Sequence, residues 1–268
     1  MKIFDAHIHS DTCSDADLKN LSYFETRRVL TAAHAPRAFE RAADLLDYFR
    51  ELIDSECPRL RRCGLIPHVA LGVVPKASPR RTHYEVWREL PALLECDEVV
   101  ALGEVGVLED SKTQWDLFER QVRIAMEHGP KPLLLTPPLY LRATMTYKML
   151  QVLERVGYPP ERAMINFLDE RLVANVVQSG CVAGLAVGAS SHEPRQAAGL
   201  VCAVIEALGS AERIVLNSGL RSGGADVLGV PKTIVALQEL GVASGVIEEL
   251  VWANAMQLFL PGITTTEA

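Results

Sequence analysis

Residues 3–9 read IFDAHIH, and this stretch decides the fold because polar and apolar side chains alternate along it. Successive side chains of a β-strand point to opposite faces, so Asp5, His7 and His9 share one face and the apolar residues share the other. The apolar face is suited to packing against helices, and the polar face then points to the inside of a sheet. Buried there, an aspartate and two histidines are costly unless they are paired or liganded. The stretch therefore predicts an inner strand that ends at a functional site.

Outward from this strand, apolar strand patterns alternate with amphipathic helix patterns along the chain. The predicted strands are 2–9, 27–33, 65–74, 98–106, 131–138, 162–167, 181–189 and 213–218. The predicted helices are 38–53, 84–94, 112–128, 144–156, 171–178, 194–208, 231–240 and 244–257. About eight strand-then-helix units in 268 residues predict an α/β protein with one domain, a (β/α)8 barrel over residues 1–268 that ends in a flexible tail at 261–268.

Composition and charge narrow the class of protein. Hydrophobic residues make up 49% of the chain and charged residues 23%, which is typical of a globular protein rather than a disordered one. A net charge of −7 without a basic block argues against nucleic acid and anionic membranes as partners. No apolar run is long enough to span a bilayer, no signal peptide is recognised, and none of the six cysteines forms a C-x-x-C pair. These features predict a cytoplasmic protein that acts on a small molecule, and they leave the oligomeric state open.

Polar residues collect where the predicted strands end, which is where the active site of an α/β barrel lies. Two imidazoles two residues apart on a strand, His7 and His9, can hold one divalent metal ion. Glu104 ends the fourth strand within ALGEVG, and the glycines on both sides of it are expected to leave room for a ligand. Asn217 ends the eighth strand, is expected to point inward and is a candidate for a catalytic role. The structural alternatives are core histidines with satisfied hydrogen bonds, a solvated glutamate and an asparagine that caps a turn.

Four further residues lie at the same rim. His34 follows the second strand and His192 follows the seventh, so both are candidates for a catalytic role. Lys76 and Lys232 are rim cations that would meet an anionic substrate. The alternative for each histidine is an ordinary loop residue, and for each lysine it is a solvated surface residue.

The order of several motifs resembles the TatD-type metal-dependent hydrolases of the amidohydrolase superfamily. FDAHIH and ALGEVG look like the paired signatures of that family, and PLLLTPP, INFLDERLV, IVLNSGLRSGGADVLGVPK and ANAMQLF follow in the family's order. The V-P-K segment is similar to that of a subgroup that includes TatD-like proteins encoded in Ebo-type biosynthetic clusters. The resemblance covers nearly the whole chain and implies a TIM-like barrel with one or two divalent metal ions, in which His7, His9 and Glu104 are metal ligands.

Other positions depart from the family pattern. Leu135 and Phe167 occupy the places of the fifth-strand and sixth-strand histidines, and Val74 replaces the histidine of the third strand. Asn217 stands where the family has an aspartate that binds metal and accepts a proton. Leucine and phenylalanine have no lone pair to give, so they are expected to form an apolar, substrate-binding wall and to limit the site to one ion.

Three functions remain open. The first is a mononuclear hydrolase, with Zn²⁺ or a similar ion on His7, His9 and Glu104, that acts on an ester, amide or phosphoester. The second is a barrel that binds a metabolite or a partner without hydrolysis, which the replaced ligands favour. The third is a metal-independent enzyme, an isomerase or lyase, that uses the same residues as acids and bases.

Overall fold

The computed structural model describes residues 1–129, 131–188, 192–221 and 226–263. Eight strands form one parallel sheet in the order β1 to β8. Their bounds are Ile3–Ile8 (β1), Thr26–Ala32 (β2), Ile66–Ala70 (β3), Val99–Gly106 (β4), Leu133–Thr136 (β5), Ala163–Ile165 (β6), Val182–Ala186 (β7) and Ile214–Asn217 (β8). All eight predicted strands exist, and most are shorter than predicted because the apolar pattern continues into buried loops.

The helices lie between the strands and on the outside of the sheet. They are Asp15–Tyr23 (α1), Ala42–Glu51 (α2), Cys57–Arg62 (α3), His83–Leu94 (α4), Lys112–Glu127 (α5), Arg142–Val156 (α6), Glu170–Gln178 (α7), Pro194–Leu208 (α8), Gly229–Glu239 (α9), Ser244–Glu248 (α10) and Asn254–Phe259 (α11). The predicted helix 244–257 is divided by a π-helical turn, Glu249–Ala253. Most of the predicted tail at 261–268 lies outside the described residues.

Helix α1 was not predicted, because charged and polar residues dominate it and only Leu18 and Leu21 are buried. Its local signal is a capping box: the Ser14 side chain accepts a hydrogen bond from the backbone N–H of Asp17, and the Asp17 side chain accepts one from the backbone of Ser14. The capping residues therefore marked a helix that the hydrophobic periodicity did not show.

The sheet is closed between β8 and β1, so the chain is a (β/α)8 barrel as predicted. A parallel bridge joins Ile8 to Leu220, and the backbone N–H of His9 donates to the carbonyl of Leu220 at 2.7 Å. On the outer face of β1, Phe4 lies 6.5 Å from the ring of Trp252. On the inner face, His7 lies 5.3 Å from the ring of Phe167, which follows β6 on the far side of the barrel. The apolar side of β1 thus faces outward and its histidine side faces the inside of the barrel, as predicted.

Candidate metal centre

His7, His9 and Glu104 meet inside the barrel, near the C-terminal ends of β1 and β4. We call them the His–Glu cluster. Each offers one potential ligand atom, and the three atoms lie within 4.8 Å of one another. Oε2 of Glu104 is 3.5 Å from Nε2 of His9 and 4.0 Å from Nε2 of His7. Ligand atoms that each lie about 2 Å from a shared ion are less than about 5 Å apart, so the spacing suits one divalent ion.

The ring of His9 is fixed by the neighbouring strand. Its Nδ1 donates to the carbonyl oxygen of Ala32 at 2.9 Å, which leaves the lone pair of Nε2 directed to Glu104. A hydrogen bond of this kind to a backbone carbonyl commonly orients a metal-binding histidine. His9 is therefore held in the tautomer that can bind a cation.

The other histidine, His7, is held from the opposite side of the barrel by an amide. The side-chain amide of Asn166 forms a short hydrogen bond with Nδ1 of His7. Asn166 in turn exchanges two hydrogen bonds with Asn217. Nδ2 of Asn217 donates to Oδ1 of Asn166 at 3.1 Å, and Nδ2 of Asn166 donates to Oδ1 of Asn217 at 3.4 Å. We call these two residues the amide pair. By contrast, Nε2 of His7 is buried and has no hydrogen-bond partner among the residues that the structure describes. An unsatisfied nitrogen at this depth is costly, and a cation shared with Glu104 would satisfy it.

A glycine of β7 makes room for the amide pair. A Cβ at Gly184 would lie 2.5 Å from Oδ1 and 3.0 Å from Cγ of Asn166. Because real Cβ atoms do not approach that closely, only glycine at position 184 lets Asn166 reach His7.

Burial controls the protonation of the His–Glu cluster. It lowers the pKa of His7 to about 3 and also lowers that of His9, so both imidazoles are neutral near pH 7. Burial alone would raise the pKa of Glu104, but the two adjacent histidines outweigh it and the pKa lies below its ordinary value. Neutral imidazoles and an ionised carboxylate are the forms that bind metal.

A second polar network lies beside His9. Nε2 of His34 is 3.0 Å from Oδ2 of Asp11, and the hydroxyl of Tyr48 donates to the same oxygen at 3.1 Å. The imidazole of His34 packs against that of His9 with 4.5 Å between ring centroids. The structure therefore brings one of the two rim histidines to the cluster, with an orienting carboxylate that was not predicted.

The cluster opens into a cavity of about 370 Å³ at the rim of the barrel. His9, Glu104, Lys76, Phe167 and Arg221 all line it. A cavity of this size suits a small molecule. Two of the four predicted substrate-binding residues, Lys76 and Phe167, thus lie at the site.

Three other predicted residues lie elsewhere. Leu135 is fully buried in the hydrophobic core, and Thr136 lines the cavity instead. Lys232 does not line the cavity and forms an ion pair with Asp226 at 2.6 Å. Nε2 of His192 bonds the carbonyl oxygen of Leu168 at 2.9 Å, so this histidine joins two loops.

The glycines near Glu104 make room for strand β5. A Cβ at Gly103 would lie 2.5 Å from Cβ of Leu134, and one at Gly106 would lie 2.2 Å from the carbonyl oxygen of Thr136. Gly106 also lines the cavity, whereas the predicted room for a ligand is not found at Gly103.

Sequence reasoning missed Asn166, Asp11 and Arg221. The family pattern drew attention to Phe167, whose backbone has a φ of +54° and therefore breaks the strand alternation. Asp11 lies within a turn after β1, and its closeness to the HIH motif was the only available signal. Arg221 lies two residues after the NSG segment of the eighth strand, which was also a usable signal.

By its fold the protein is a TIM-like barrel, and the comparisons confirm that it resembles TatD-like proteins and a metal-dependent hydrolase. The chain is 25% identical over 253 residues to an uncharacterized metal-dependent hydrolase of Methanocaldococcus jannaschii, a match that covers 94% of this chain and 98% of the relative. The similarity to a particular subgroup stays a prediction.

Solved structures show the same barrel. A TatD-like protein of Archaeoglobus fulgidus superposes with a TM-score of 0.79 at 23% identity and covers 96% of this chain and 99% of its own. The phosphotriesterase homology protein of Escherichia coli, solved with phosphate in its active site, gives a TM-score of 0.72 at 16% identity and covers 96% and 98%. No family model matches the chain. Among the described residues, no helix is long and apolar enough to cross a membrane.

Proposed function

We propose that this protein is a metal-dependent hydrolase with a single divalent ion, zinc or a similar metal, held by His7, His9 and Glu104. Its substrate is an ester, amide or phosphoester of a small molecule. The observation that carries the proposal is the unpartnered, buried Nε2 of His7, which faces Glu104 beneath an open cavity. The tautomer of His7 that binds the ion carries its hydrogen on Nδ1, and this requires the amide of Asn166 to turn so that its oxygen, rather than the Nδ2 that lies beside Nδ1 in the structure, accepts that hydrogen.

The chemistry divides between the ion and the side chains. A divalent ion in this cluster would polarise the scissile group and lower the pKa of a water molecule. Glu104 serves as a ligand, and Asn217 has no basic atom to accept a proton. His34 takes that role in the proposal, because Asp11 accepts from Nε2–H and leaves Nδ1 as the basic atom.

Metal content and activity test the proposal together. Protein purified without chelator is expected to contain up to one equivalent of zinc or a similar metal by elemental analysis. The reconstituted protein is expected to hydrolyse at least one of three probes: 4-nitrophenyl acetate, bis(4-nitrophenyl) phosphate or an acyl 4-nitroanilide. Glu104→Gln should remove both metal and activity, whereas Glu89→Gln, at an exposed ion pair with Arg88, should change neither.

Two results would direct the interpretation elsewhere. Asn217 of the amide pair stands where the resemblance implies an ionised aspartate, and this neutral replacement favours a barrel that binds without hydrolysis as the second candidate. Metal binding without turnover of any probe would support that candidate. Turnover that survives complete chelation would overturn the role of the metal and point to acid–base catalysis by the side chains.

A further inference from the structure

The cavity above the His–Glu cluster carries more positive than negative charge. Among its lining residues Lys76 and Arg221 are cationic, and Glu104 is the only acid. Neither cation has an ion-pair partner in the part of the chain that the structure describes, although the chain has a net charge of −7. Lys232, outside the cavity, is neutralised by Asp226. Unneutralised cations that share a cavity in an acidic protein favour an anionic ligand.

The position of Arg221 is fixed by the residues that precede it. The backbone N–H of Ser218 donates to Oδ1 of the buried Asp5 at 2.9 Å. The backbone N–H of Leu220 donates to Oγ of Ser218 at 3.1 Å, and its carbonyl accepts from the N–H of His9 at 2.7 Å. The backbone that leads into Arg221 is therefore bound directly to β1 beside the cluster, which sets the place from which its side chain enters the cavity.

The rest of the cavity wall is apolar. Phe167 lies against Gly219, where a Cβ would approach its ring to 3.2 Å, so the glycine lets the ring occupy the wall. At the outer edge Leu139 is 79% exposed and Leu108 is 43% exposed. The remaining apolar side chains of the wall are Val74, Pro75, Val107, Pro137 and Pro138. Exposed leucines beside a cavity are a surface that an apolar ligand group can cover.

From this arrangement we propose that the substrate is a small amphiphile with an oxyanion group, a carboxylate or a phosphate, in addition to the bond that is cleaved. Arg221 and Lys76 bind the oxyanion, and the wall formed by Phe167, Leu139 and Leu108 binds its apolar portion. The proposal rests on the proposed function for the reaction, but binding of the amphiphile requires only the cavity. Arginine recognises both oxyanions through its planar set of donors.

Binding of small-molecule probes to the full chain tests the proposal. Calorimetry on metal-free and zinc-loaded protein compares 4-phenylbutyrate, 4-phenylbutylphosphonate, the neutral 4-phenylbutanamide and the ring-less butyrate. At least one of the two aryl oxyanions should bind at least about tenfold more tightly than the amide and than butyrate, in the metal-free protein as well. Whichever aryl oxyanion binds more tightly identifies the oxyanion.

Single-residue variants test which side chains bind the oxyanion. Arg221→Met should weaken binding of the preferred oxyanion by about tenfold or more, with a smaller loss for Lys76→Met, and both should leave amide binding unchanged. Lys232→Met is the matched control and should change neither affinity. Equal affinity of wild type for oxyanions and amide would overturn the proposal, and so would a loss in Arg221→Met that is the same for both.

The outcome is separable from that of the proposed function. Metal-dependent hydrolysis without an oxyanion preference would overturn this inference and leave the function standing. An oxyanion preference in a protein that hydrolyses nothing would support the binding inference and overturn the hydrolase.

Discussion

The His–Glu cluster and the amide pair are neighbours inside one barrel, yet their hydrogen bonding differs. Asn166 and Asn217 satisfy each other, and Asn166 also satisfies Nδ1 of His7. In the His–Glu cluster, Nε2 of His7 has no partner among the described residues and lies 4.0 Å from the carboxylate of Glu104. The amide pair is complete as a neutral structure, whereas the His–Glu cluster holds a buried nitrogen and a buried carboxylate that a cation would satisfy.

The difference teaches where a metal ion can bind. Ion binding by the His–Glu cluster removes an unsatisfied nitrogen and neutralises a buried carboxylate. Ion binding by the amide pair would break existing hydrogen bonds and offer only neutral oxygens. We therefore expect one ion, bound on the β1 and β4 side of the barrel, and the next four experiments test this asymmetry.

The largest expected effect follows from removal of a ligand. His9→Ala should reduce zinc affinity by more than about 100-fold, because loss of an outer partner alone costs about 10- to 100-fold. Competition with a chromophoric chelator measures the affinity. His128→Ala, at a surface histidine paired with Glu95, serves as the control. A change of less than about threefold in His9→Ala would show that the cluster does not bind the ion.

A smaller loss of zinc affinity is expected when the amide pair is displaced. In Gly184→Ala the new Cβ would collide with Asn166, so His7 should lose its partner and zinc affinity should fall about 10- to 100-fold. Stability should fall by about 1–3 kcal/mol in urea titrations. Gly199→Ala on α8 has no atom within 4 Å of its Cβ and should keep the affinity and raise stability by up to about 1 kcal/mol. Equal behaviour of the two variants would refute the role assigned to Asn166.

Replacement of one amide of the pair by a carboxylate should have a more modest effect on zinc affinity. Wild type is expected to bind at most one equivalent of zinc. Asn217→Asp adds a carboxylate near His7 and should tighten zinc binding by about tenfold, equivalent to about 1.4 kcal/mol, while the stoichiometry stays at one. Elemental analysis and calorimetry measure both quantities. Two equivalents in the wild-type cavity would contradict the asymmetry between the two groups.

The last effect is a weak pH dependence. Burial holds the pKa of His7 near 3 and lowers that of His9, so protons compete with the ion less than they would at two exposed histidines. Zinc affinity should therefore fall by less than about 30-fold between pH 8 and pH 5, the loss that one histidine with an ordinary pKa would cause. Two histidines with ordinary pKa values of about 6.5 would instead lose about 1000-fold over that range. A loss of that size would mean that the histidines are solvated rather than buried.

The sequence by itself determined the barrel and the residues of the His–Glu cluster. Periodicity gave eight strands in order, and alternation within residues 3–9 placed His7 and His9 on the inner face of β1. Position at the end of the fourth strand marked Glu104. These inferences succeeded because each depends on local geometry, which a short segment of chain specifies without knowledge of its neighbours.

Only the tertiary structure decided which other polar residues join the site. Asn166 meets a partner 51 residues away, His34 meets Asp11 23 residues away, and Arg221 enters the cavity because β8 closes on β1. Lys232 looked equivalent to Lys76 in the sequence, but packing of the last strand-to-helix loop paired it with Asp226 outside the cavity. Such pairings depend on how strands, loops and helices close around the barrel, and no local pattern encodes that closure.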